Sequence, residues 1–216
     1  MSTLIFMAGM LMTVAGGLWA ITRWDKLPKW CVKHWLLVAG CGLWEILLVH
    51  TKLVRCSVGT MLMLGVFAGC MLLAVLTDSA VCVVYNFVWW IALCAGGCLW
   101  FTNMRWAEGF QAEETVRSFC LDAGIQLLLY VLLQFLVFGR TYGRADSYAF
   151  CTCALVGTTL GMGLEEYLTH MILSYLFLIM VQALQRNISR RGNLKRPVPF
   201  LPYINVAFWT TFFLRE

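Results

Sequence analysis

The sequence predicts an all-α polytopic membrane protein, a helical bundle of about eight transmembrane helices. Three observations carry that expectation. Of the 216 residues, 61% are hydrophobic and only 12% are charged, against about 25% charged in a soluble domain. Mean hydropathy is +0.78. The apolar residues fall in continuous runs near the roughly 20 residues that a helix needs to cross a hydrocarbon core. These runs do not alternate with polar residues, which disfavours the strands of a membrane barrel.

In chain order the expected spans are Leu4–Ile21, Trp35–Val49, Val58–Thr77, Val84–Phe101, Phe119–Phe138, Ser147–Leu164, Leu168–Leu184 and Pro202–Leu214, the second and last being short. The first run has no basic segment before it, and the positive charges follow it. This is the pattern of a first span with its N-terminus outside rather than of a cleaved leader. The odd-numbered connections carry eleven Lys and Arg, the even-numbered ones and the C-terminal end five. The positive-inside rule then puts the odd connections in the cytoplasm and both termini outside the plasma membrane.

The net charge of +5 reads as loop topology and attraction to anionic lipid of the bilayer. It does not read as nucleic-acid binding, because the aromatics lie inside the apolar runs. The ten cysteines are scattered and form no C-x-x-C, so neither a zinc ribbon nor a disulfide framework is expected. In apolar runs a thiol packs as a small hydrophobe. His34, His50 and His170 stand on separate segments without ligand spacing. No metal and no cofactor is expected, and no nucleophile elbow, zincin or phosphate-loop signature occurs.

Acids are costly in such a chain, which directs attention to two of them. Asp78 follows the third run, in Leu76-Thr77-Asp78. Asp146 precedes the sixth, in Gly143-Arg144-Ala145-Asp146. Two spans separate them, so both are expected at the same face, the cytoplasmic one. Two close carboxylates cannot both ionise readily and come to share a proton. The ionised member activates water and the protonated one donates to a scissile carbonyl oxygen. Structural roles are open to both: Asp146 as the N-cap of a span starting at Ser147, Asp78 as a solvated loop acid.

Other polar residues have two readings. Asn86 either hydrogen-bonds near the acids or caps a helix. Gly139, Gly143 and Arg144 shape the turn before Asp146, or Arg144 only marks topology. Pro197, Pro199 and Pro202 break the chain before the last span. Glu45 and Asp122 read as interfacial acids, and Glu165 and Glu166 as solvated residues of an outside turn.

On three of these elements the chain resembles the type IV prepilin leader peptidases, membrane aspartyl proteases of the GxGD group. In that family the first acid ends a span and is followed eight residues on by an Asn, here Asn86. The second acid closes a Gly-x-Gly-Asp motif, here Gly143-Arg144-Ala145-Asp146. A Pro-Phe-x-Pro element precedes the last span, here Pro199-Phe200-Leu201-Pro202. The likeness runs from about Val58 to Leu214 in the family's order. It divides the chain into two N-terminal spans (1–57) and a six-span catalytic core (58–216). Ala145 stands at the family's second Gly, Tyr85 at its Pro, and Ser147-Tyr148 where Val-Lys is common.

The resemblance implies an aspartic endopeptidase with Asp78 and Asp146 as its dyad. Its partner would be a prepilin or pseudopilin, whose short basic leader is cut at the cytoplasmic membrane face. The connection Arg23 to His34 is too short for the zinc-binding insert of the family's bifunctional members, so no methyltransferase activity is expected. An inactive scaffold or assembly factor, and a small proton-coupled transporter, are the competing expectations.

Overall fold

Apolar runs that must satisfy their own backbone in lipid become helices, and the described residues follow that rule. The computed structural model describes residues 2–24, 32–52, 56–107, 113–137, 143–188 and 198–215. Among them are eight helices and no strand: α1 (Ser2–Trp24), α2 (Val32–Lys52), α3 (Val58–Val81), α4 (Asn86–Ala107), α5 (Glu113–Leu136), α6 (Arg144–Thr159), α7 (Leu164–Ile188) and α8 (Leu201–Leu214).

Four of these are long and apolar enough to cross a membrane, over Ser2–Arg23, Val32–Thr51, Val58–Val81 and Leu164–Leu184. That is fewer than the eight expected. Asn86–Thr102, Leu121–Leu136 and Leu201–Leu214 are shorter apolar helices. The shortfall has a physical cause in α6 and α8. With 16 and 14 residues they reach about 24 and 21 Å, below the hydrocarbon thickness of about 30 Å. Both are largely buried by their neighbours. The second helix, expected to be short, has 21 residues.

The sixth span ends earlier than its apolar run suggests. Gly161 takes a left-handed φ of +83°, and α7 begins at Leu164. Glu165 and Glu166 therefore sit in the first turn of α7 and not in a loop, where acids complement the helix dipole. Glu166 accepts the Gly163 N–H at 2.8 Å and pairs with Arg215 at 3.8 Å.

The centre of the bundle is α3, whose residues from Phe67 to Thr77 are all buried. Against it lie α1, α4, α2 and α8, and α8 also touches α7 and α6. The α1–α3 contact is made backbone to backbone. A Cβ on Gly65 would stand 2.3 Å from the Phe6 carbonyl oxygen, and one on Gly69 would stand 2.7 Å from that of Met10. A Cβ on Gly9 would meet the Leu62 carbonyl oxygen at 2.8 Å. Small residues four apart let helices approach where lipid gives no hydrophobic drive for association. Gly65→Val is expected to push α1 off α3 and cost about 1–3 kcal/mol. A lowered thermal midpoint in detergent would show it, and an unchanged midpoint would argue against this contact as a determinant of stability.

Candidate active site

The C-terminal end of α3 and the N-terminal ends of α6 and α8 meet at one end of the bundle. At the opposite end Arg215 of α8 donates to the Leu160 carbonyl beyond α6 at 2.7 Å and pairs with Glu166 of α7. The helices thus alternate in direction, and Asp78 and Asp146 lie at the same end.

Asp78 occupies the last turn of α3. That helix stops at Cys82, which adopts a left-handed conformation (φ 55°, ψ 33°) and donates its N–H to the Asp78 carbonyl at 2.9 Å. The half-buried Asp78 side chain turns to α8. Its Oδ2 accepts the Leu201 N–H at 3.2 Å, with the Phe200 N–H contributing as well. The Pro199-Phe200-Leu201-Pro202 element explains why a helix starts there. Phe200 is the N-cap and Pro202 sits in the first turn, where a helix has no use for the N–H that proline lacks. The free N–H groups and positive dipole of α8 therefore face a carboxylate.

Asp146 is not the N-cap of a helix starting at Ser147. The helix begins at Arg144, Gly143 is the N-cap with ψ 153°, and Asp146 is its third residue. Its Oδ2 accepts the Gly143 N–H at 3.2 Å, the side-chain half of a capping box. Burial pushes the Asp146 carboxyl up to about 6, the negative charge of Asp78 adds to the rise, and the Gly143 N–H opposes it. Ala145, in the family's second Gly position, is helical and half-buried, and Cys82 is the only non-glycine with positive φ among the described residues. Nothing here requires the freedom of a glycine.

Around the two acids is an aromatic setting. Phe200 is buried between Phe150 (6.0 Å between ring centroids) and Tyr175 (5.1 Å), and Tyr175 lies within the field of Asp146. Beside Asp146, the partly exposed Tyr148 ring stacks on Trp89 and meets Phe135 edge-on. Asn86 is exposed at the start of α4, Arg144 is exposed, and Pro199 is half-buried. The bonds to the two carboxyls come from backbone N–H groups, not from Asn86. Tyr85 packs its ring near Phe87. Gly139 and Pro197 lie outside the described residues, as do Lys26, Lys29, Arg55, Arg140, Arg190, Arg191, Lys195 and Arg196 of the cations that set the expected topology.

Glu45 corrects an expectation. It is completely buried rather than interfacial, and Asn205 of α8 donates to its Oε1 at 2.6 Å. Asp122 is exposed. No group of three or more His, Cys, Asp or Glu side chains converges among the described residues, and the eight described cysteines are free thiols. In comparisons with known protein families, curated proteins and solved structures, nothing matches the chain.

Proposed function

We propose that the protein is a membrane aspartic endopeptidase that cuts the basic leader of a prepilin-like protein. The observation that carries the proposal is the shared field of two half-buried acids at one end of the bundle, each accepting an N–H from a helix start, Asp78 from Leu201 and Asp146 from Gly143. The charge of Asp78 adds to the rise of the Asp146 carboxyl, which favours the acid there. Asp78 is then the base that activates water, and Asp146 the acid that protonates the scissile carbonyl oxygen. No covalent intermediate is involved.

The substrate's apolar helix would lie in the bilayer beside the exposed rings of Tyr148 and Phe135, with Trp89 buried behind Tyr148. In this reading all eight helices cross or enter the membrane, 58–216 is the catalytic core, both termini are outside and the dyad faces the cytoplasm of the plasma membrane. Purified protein given a segment with a basic leader and an apolar helix is expected to yield one cut between them, read by mass spectrometry. Absence of product over a broad pH range would favour an inactive scaffold.

Cys82 offers a test of sidedness. It is exposed four residues after Asp78. Burial and then the Asp78 charge push its thiol up, so labelling should quicken as pH rises. With every other cysteine replaced, a membrane-impermeant maleimide is expected to label Cys82 in inverted vesicles and not in intact cells. The opposite pattern would put the dyad outside.

A further inference from the structure

Glu45 and Asn205 are each 0% exposed, on α2 and α8. One hydrogen bond joins them, from Asn205 Nδ2 to Glu45 Oε1 at 2.6 Å. Three polar atoms of the same cluster are buried without a partner: Glu45 Oε2, Asn205 Oδ1 and Nε1 of Trp209, which faces the same carboxyl from one turn further along α8. No cation among the described residues pairs with Glu45. The titratable groups that feel its charge are the thiols of Cys41 on α2 and Cys153 on α6.

An ionised Glu45 would leave two acceptors facing each other, one of them charged, inside an apolar bundle, where an unpaired charge is expensive and neutralises instead. A carboxyl and a carboxamide are planar groups of matching shape. With one oxygen of Glu45 already taking the Asn205 NH2, a single proton on Oε2 supplies the donor that Asn205 Oδ1 lacks. The same hydroxyl oxygen still has a lone pair for the Trp209 N–H. One proton thus resolves all three unpartnered atoms.

We propose that Glu45 and Asn205 form a proton-binding site inside the bundle, in which the neutral acid of Glu45 clasps the Asn205 carboxamide through two hydrogen bonds and latches α8 to α2. The ligand is a proton. The latch acts on the helix whose first N–H groups hold Asp78: Asn205 stands one turn after Leu201, so the same helix is fixed at both points. The site holds its proton whether or not the two aspartates cleave a peptide.

Glu45→Gln separates a neutral latch from a charged one. The Gln NH2 donates to Asn205 Oδ1 and its carbonyl accepts from Asn205 Nδ2, reproducing both bonds of the latch without a proton, while the Trp209 N–H loses the acceptor that the hydroxyl oxygen gave it. In lipid vesicles at neutral pH, the infrared carbonyl band of a protonated carboxylic acid is expected in the parent and lost in Glu45→Gln. The thermal midpoint of that variant is expected to fall by no more than the Trp209 bond and to stay above those of Glu45→Leu and Asn205→Leu, which melt lower or fail to assemble. If Glu45→Gln removes no such band, or melts as low as Glu45→Leu, Glu45 is ionised or unlatched and the proposal is overturned.

Discussion

Asp78→Asn and Asp146→Asn are each expected to abolish cleavage of a prepilin-like leader while the protein stays inserted. Each loses a proton-transfer group, and positioned acid–base groups contribute about a hundred- to ten-thousand-fold. The fold should tolerate both changes for a reason visible in the hydrogen bonds. The carboxamide oxygen that replaces the carboxylate can still accept the Leu201 N–H in the first variant and the Gly143 N–H in the second. The start of α8 and the cap of α6 therefore survive. What disappears is the charge that activates water in the first case and the acidic proton in the second. Product quantified by mass spectrometry, with protein level and thermal midpoint measured on the same membranes, checks both parts. Full processing by either variant would remove that residue from the dyad, and loss of processing together with loss of the folded protein would not count in its favour.

The fold class was legible because it rests on local composition: lipid forbids unsatisfied backbone, so apolar runs become helices wherever they occur. Boundaries were legible only where a polar or glycine signal coincided with the true end. Asp78 and Cys82 close α3 near its expected end. The apolar run through Leu164 concealed the turn at Gly161, because Leu160 and Met162 are as apolar as the helix they leave. The meeting of Asp78 with the N-terminus of α8 joins residues 123 positions apart and has no local trace, although Pro199 and Pro202 mark where that helix starts. Gly65 and Gly69 are a spacing signal for the α1–α3 contact that hydropathy alone passes over. Glu45 was misread as interfacial for a related reason. Sequence gives its depth along α2 but not the Asn205 carboxamide, on a distant segment, that makes its burial tolerable. Tyr175 and Phe150 stand out in no motif, since an aromatic in an apolar run looks the same near Asp146 and Phe200 as beside lipid.

Cleavage is expected to fall tenfold per pH unit once the pH exceeds about 6. Asp146 must hold a proton to act as the acid, and its carboxyl is pushed up to about 6 by burial and by the charge of Asp78, from about 3.9 for an unperturbed aspartate. Above that value the protonated fraction drops by one decade per unit. On the acid side the rate falls as Asp78 loses its charge, giving a bell whose two limbs belong to the pair. The same shift fixes the sign of a stability effect. The native state holds the Asp146 proton more tightly than the unfolded chain does, so its stabilising contribution is complete below about pH 4 and is lost as pH rises through about 6. Asp146→Asn cannot ionise, so its thermal midpoint should fall less than the parent's between about pH 5 and 7. Asp78→Asn offers a check that needs no activity. It removes the second cause of the shift and leaves burial, so the Asp146 carboxyl should titrate lower than in the parent, as read by carbon NMR of labelled aspartate. An Asp146 that titrates identically with and without the Asp78 charge would mean that the two carboxyls do not share a field, and a rate that stays level from about pH 6 to 8 would mean that Asp146 is not the acid.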